Sequence, residues 1–226
     1  MQPGRVDELA HSPDNVAHMT IKASSLFSII AIWATMIPAV ILEPDGWWSL
    51  FFAAFATLVV GVNAWRRLGW SRLLSIVGIW LGTAAAISES SGAAWTSIFA
   101  FLATFAVVLS IMRREAVGIG VGIAFAWLVT GAVVVANDGA GAWIAIFAYL
   151  TTFALANNRG FHAKGFAAML WWGLAGAVMI AAGGWYWLSI FAFILSALSV
   201  GITQIRIPRG IEWDLWDRDE RGELVR

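Results

Sequence analysis

Eight side chains set hydrogen-bonding groups inside long apolar runs: Trp33, Trp80, Trp127 and Trp172, and the hydroxyls Thr57, Thr104, Thr152 and Ser196. An indole N–H only donates, whereas a Thr or Ser hydroxyl both donates and accepts. Neither type carries charge. The chemistry open to them is to hold helices together, or to line a passage for small neutral molecules that exchange hydrogen bonds as they move.

Richer chemistry has no residues to run on. With no cysteine in the chain, disulfides, thiolate metal sites, iron–sulfur clusters and cysteine nucleophiles are excluded. His11, His18 and His162 all lie outside the apolar runs, which removes haem or chlorophyll ligation at depth. His11 and His18 share a helical face in a polar leader, where a solvated pair is the plainer reading than a metal site. The apolar runs carry no ionisable group away from their ends, whereas pumps and intramembrane enzymes depend on such groups. No Ser–His or Asp–Asp set, glycine-rich phosphate loop or His–Glu metal spacing is present. We therefore expect no catalytic residue, metal or cofactor. Aromatic helices leave room for an apolar pigment or quinone, but no residue specifies one.

The elements that position the eight residues repeat. Four decapeptides, beginning at Trp48, Trp95, Trp143 and Trp187, share Trp, Phe four later, Ala five later and a hydroxyl nine later. Those hydroxyls are Thr57, Thr104, Thr152 and Ser196. Fifteen or sixteen residues upstream of each decapeptide stands one of Trp33, Trp80, Trp127 and Trp172. The unit is a pair of apolar segments, about 45 residues long and present four times. Each deep tryptophan lies eight to ten residues before a polar turn, which at 1.5 Å per residue puts it about 12–15 Å deep. The same count down the returning segment reaches the hydroxyl. Two readings follow: the hydroxyls serve as small packing groups bonded to their own helix's carbonyls, or Trp33–Thr57, Trp80–Thr104, Trp127–Thr152 and Trp172–Ser196 meet within or between hairpins.

Composition places these segments in lipid. The 226 residues are 60% hydrophobic and 12% charged, with mean hydropathy +0.78, against about a quarter charged in a soluble domain. Zero net charge leaves no footprint for nucleic acid. Apolar runs at 24–42, 47–65, 71–88, 93–112, 116–136, 141–157, 163–182 and 184–203 are each 17–21 residues, near the 20 or so that cross a bilayer core. The sequence thus predicts an all-α integral membrane protein with eight transmembrane helices in four tandem hairpin repeats (24–66, 71–113, 116–159, 163–206). A polar leader (1–22) precedes the transmembrane domain (23–206) and a polar tail (207–226) follows it. Ser12-Pro13-Asp14 reads as a helix start leading into the first span. Trp213 and Trp216 either form a short interfacial helix or lie in a solvated tail.

Arg66, Arg67, Arg72, Arg113, Arg114, Arg159, Lys164, Arg206 and Arg209 lie at one set of connections, and the other set has no Lys or Arg. The positive-inside rule puts both termini in the cytoplasm, with the chain in the plasma (inner) membrane and no cleaved signal peptide. Trp47, Trp48, Trp95, Trp143, Trp185 and Trp187 mark one interface, and Trp65 and Trp70 the other, as an aromatic belt. Small residues at Gly118-Ile-Gly-Val-Gly122 and Gly173-Leu-Ala-Gly176 offer close-packing faces, so a ring-like or stacked arrangement and self-association are expected. Pro38 should kink the first helix alone.

The Trp33-to-Pro38 spacing, and Gly78-Ile-Trp80-Leu to Ala85 without the proline, resemble the SPW-repeat and acid-resistance membrane proteins. That resemblance implies a hairpin fold more than an activity, and the Ser-Pro-Trp signature itself is missing. Gly46-Trp-Trp-Ser-Leu-Phe-Phe-Ala54 resembles the urea and short-amide channel family, which has six spans rather than eight. This second resemblance implies a passive facilitator. The leading expectation is a non-enzymatic, structural or accessory component that meets the bilayer and another membrane protein or a second copy. The alternative is a channel for small neutral solutes such as urea, short amides or ammonia.

Overall fold

The computed structural model describes residues 13–63, 69–110, 117–157 and 162–202, with side chains from Ala23 in the first segment, from Lys164 in the last, and up to Val200. The outermost leader, the tail with Trp213 and Trp216, and most of the basic connections lie outside the described residues, as does the surrounding of all three histidines.

Among the described residues eight α-helices form: α1 (Pro13–Leu42), α2 (Ser49–Val62), α3 (Trp70–Glu89), α4 (Thr96–Leu109), α5 (Val117–Ala136), α6 (Ala145–Ala156), α7 (His162–Ala182) and α8 (Leu188–Ile202). No strand occurs among the described residues. Among the described residues five stretches are long and apolar enough to cross a membrane: Ala23–Leu42, Trp70–Glu89, Ser91–Leu109, Val117–Ala136 and Lys164–Ala182. The others, Ser49–Val62, Ala142–Ala156 and Leu188–Val200, are shorter. At 14 residues, α2 covers about 21 Å, less than a 30 Å core. The apolar runs overstate these helices because their first residues belong to turns. Pro44–Gly46, Ser91–Ala93 and Ala142–Ile144 are short 3-10 turns, so Trp47 and Trp48 are apolar yet precede the helix. α1 runs unbroken from the leader through Pro38 to Leu42.

The helices stack in two rows. α3 packs on α1 and α5, and α5 on α7, while α4 packs on α2 and α6, and α6 on α8. Each odd helix also packs on the even helix that follows it. α3 is the most enclosed of the long helices, whereas α1 and α7 are covered on only one side.

The odd row is held by backbone proximity. A methyl group at Gly82 would collide with the Trp127 carbonyl, one at Gly78 with the Ala124 backbone, and one at Gly165 with the Gly118 carbonyl. Only glycine permits this approach, since any side chain at these positions would meet main chain of the facing helix. Gly120 and Gly122 meet Ser71 and Gly165, and Gly176 meets Val129. The small-residue faces read from the sequence are therefore occupied within the chain.

The even row is held by rings. In all four decapeptides the first Trp packs edge-on against the Phe four later: Trp48–Phe52, Trp95–Phe99, Trp143–Phe147 and Trp187–Phe191. That Phe then meets the aromatic at the seventh position of the next decapeptide: Phe52–Phe101 at 6.3 Å, Phe99–Tyr149 at 6.1 Å and Phe147–Phe193 at 6.3 Å between centroids. The turns join as well. Trp143 packs edge-on against Tyr186, and Gly141, at φ +78°, leaves no space for a side chain beside the Tyr186 ring.

Candidate functional site

The polar chemistry of the interior lies where the two rows face each other. Trp80 Nε1 donates to Thr104 Oγ1 at 2.9 Å and Trp127 Nε1 to Thr152 Oγ1 at 2.9 Å. Trp33 Nε1 donates to Thr57 Oγ1 at 3.0 Å. Each joins the two helices of one hairpin, across 24 or 25 residues of sequence.

The acceptors are engaged a second time. Thr57, Thr104 and Thr152 donate to the carbonyls of Ala53, Ala100 and Ala148, four residues back, at 2.8–2.9 Å. Both readings of the hydroxyls therefore hold at once: they bond their own helix and receive an indole. Each uses its only proton on the backbone and one lone pair on the tryptophan. An indole N–H in hydrocarbon needs an acceptor, and a small hydroxyl on the facing helix supplies it without a charge.

The fourth set departs from the expected pairing. Trp172 Nε1 donates to Thr151 Oγ1 on α6 at 3.1 Å, not to Ser196. Ser196 donates to the Ala192 carbonyl at 2.7 Å, while Trp171 Nε1 reaches Ser199 Oγ at 3.3 Å. The cause is a pair of doublets. Adjacent helical residues point about 100° apart, so Thr152 faces Trp127 of its own hairpin while Thr151 faces Trp172 of the next. Likewise Trp172 turns toward α6 and leaves Trp171 toward α8. The ninth decapeptide position is Ala56, Ala103 and Leu195 elsewhere, so only here is a second hydroxyl on offer. Thr151, Trp171 and Ser199 were missed by counting depth alone, and the Thr-Thr and Trp-Trp doublets were the available signal.

Burial separates the first pair from the others. Trp80, Trp127, Trp172, Thr104, Thr151 and Thr152 have no exposed surface. Trp33 and Thr57 are only half-buried. Beside Trp33 lies an open groove lined by Ile29, Ile30, Ala34, Ile37 and Pro38. A second groove, between Phe27, Ile30 and Ala31 of α1 and Trp70, Leu73 and Val77 of α3, is equally apolar.

Other hydroxyls turn back on the main chain. Ser28, Thr35, Ser75, Thr83 and Thr130 bond their own helix's carbonyls, as short hydroxyls do in helices. Arg72 Nη2 donates to the Ser110 carbonyl at 2.8 Å, tying the start of α3 to the end of α4. Trp47, Trp70, Trp143, Trp185 and Trp187 are exposed at helix ends. No group of three metal-ligating side chains assembles among the described residues.

Among the described residues, fold and site together define an all-helical architecture with five helices long and apolar enough to cross a membrane and an interior bonded by indoles and hydroxyls. No protein-family model, curated protein or solved structure matches this chain.

Proposed function

We propose that the chain is an integral membrane protein of four tandem hairpins, with eight transmembrane helices and both termini cytoplasmic. In this reading it is a structural or accessory component of a membrane assembly, without catalytic chemistry. α2 and α6 complete their crossing with the 3-10 turns before them, and α8 with the turn that carries Trp185 and Trp187. The likeness of Trp33-to-Pro38 to the SPW-repeat proteins is consistent with this hairpin architecture.

One observation carries the functional half: the hydroxyls that would have to serve a passing solute are already committed. Thr104 and Thr152 are fully buried, each donating to a carbonyl and accepting from an indole. A solute exchanging hydrogen bonds there would have to displace a tryptophan. Because the small-residue faces are occupied within the chain, another membrane protein is favoured as the partner over self-association through those faces.

The test is stopped-flow light scattering on proteoliposomes challenged with urea, acetamide, glycerol and ammonia. We expect shrink–swell rates equal to those of empty liposomes for all four. Rates above that background, abolished by Thr104→Val with Thr152→Val, would overturn the reading in favour of a facilitator for neutral solutes.

A further inference from the structure

The two rows show how one hairpin receives the next, and the same register can be followed to both ends of the stack. On α3 the face that receives α5 carries Gly78 and Gly82, two residues before and two after the deep Trp80. The matching positions on α7, around Trp172, are Leu170 and Leu174, exposed at 56% and 54%. On α5 the face turned to α3 carries Gly120, Ala124 and Gly131. Counted from Trp33, the same three positions on α1 are Leu26, Ile30 and Ile37, exposed at 58%, 51% and 47%. Where the α3–α5 and α5–α7 seams place glycine on at least one side, the matching positions at both ends carry branched bulk.

The even row ends in a corresponding way. Phe101, Tyr149 and Phe193 each receive a ring from the preceding helix, but the first decapeptide has Ala54 at that seventh position. Phe191, which would reach forward from the last decapeptide, is 51% exposed and contacts only Trp187 among the described rings. A second copy placed head to tail would therefore bring Leu170 and Leu174 onto Ile30 and Ile37, and Phe191 onto an alanine.

We infer that the outer faces of α1 and α7 are terminators, covered by lipid acyl chains, and that the stack does not extend into another helix of this chain. Helices in lipid gain nothing from burying Leu against Leu rather than against acyl chain, and close approach needs small residues, which the matching positions Leu26, Ile30, Ile37, Leu170 and Leu174 do not supply. The apolar groove at Ile30, Ala34, Ile37 and Pro38 is then an acyl-chain contact. This rests on the membrane reading.

The absence of cysteine makes the test direct. Single variants Ile37→Cys, Leu170→Cys, Phe105→Cys and Thr130→Cys of the full chain in liposomes are labelled with a nitroxide. Phe105 is an exposed residue of α4 away from both ends, and Thr130 is buried. The inference expects high collision rates with oxygen and low rates with a water-soluble nickel chelate at 37, 170 and 105, and low rates with both at 130. It also expects no dipolar coupling when chains labelled at 37 are mixed with chains labelled at 170. Coupling in that mixture, or oxygen rates at 37 and 170 as low as at 130 while 105 stays high, would overturn the terminator and leave the membrane reading standing. Nickel access at 37, 105 and 170 alike would overturn both.

Discussion

The odd and even rows solve one problem, adhesion between neighbouring helices with largely apolar surfaces, by opposite means. The odd row removes side chains until backbones touch, as at Gly82 over Trp127 and Gly165 over Gly118. The even row adds rings and lets them reach across a wider gap, from Phe52 to Phe101, Phe99 to Tyr149 and Phe147 to Phe193. Backbone contact tolerates no added atom; ring contacts at 6.1–6.3 Å have room to adjust. The rows should therefore respond very differently to substitution.

The largest effect is expected at Gly82→Leu. Its side chain would occupy the place of the Trp127 carbonyl, and main chain cannot step aside as a rotamer can. A loss of at least about 3 kcal/mol, the upper end for overpacking, should appear as failure to recover folded protein in a detergent unfolding titration. Wild-type stability in this variant would contradict the account of the odd row. Phe101→Ala should cost less, about 1–2 kcal/mol, since it deletes ring contacts with Phe52, Phe55 and Phe105 at roughly 0.5–1.5 kcal/mol each, partly recovered as neighbouring rings relax. If Phe101→Ala proved the more damaging, the contrast between the rows would be reversed.

Two smaller substitutions sharpen the comparison at the fourth hairpin. Thr151→Val removes the acceptor of the Trp172 indole and should lower stability by about 1 kcal/mol, with a shift of the Trp172 indole N–H resonance. Ser196→Ala removes only a bond to its own helix and should change stability by less than about 0.5 kcal/mol. Equal effects from the two would undo the assignment of Trp172 to Thr151.

The helices themselves were legible because apolar runs near twenty residues, broken by turn formers, leave few alternatives. Depth counting also joined Trp33 to Thr57, Trp80 to Thr104 and Trp127 to Thr152, since two helices leaving one turn stay at equal height. It failed at Trp172 because height does not fix direction around the helix axis, and adjacent Thr151 and Thr152 differ only in direction. The true starts of α2, α6 and α8 were hidden because tryptophan reads as apolar whether it lies in a span or in the turn before it. The ring ladder went unread because its receiving position changes identity, Ala54, Phe101, Tyr149, Phe193, and so resembles noise in a repeat.

The central claim, that indole and hydroxyl bond each other to fasten a hairpin, is tested most directly by a double-mutant cycle on Trp127→Phe and Thr152→Val, read as unfolding free energy in bicelles. The account predicts a coupling of about 0.5–1.5 kcal/mol, the range of interhelical hydrogen bonds in membranes. Additive losses, with no coupling between the two, would contradict it.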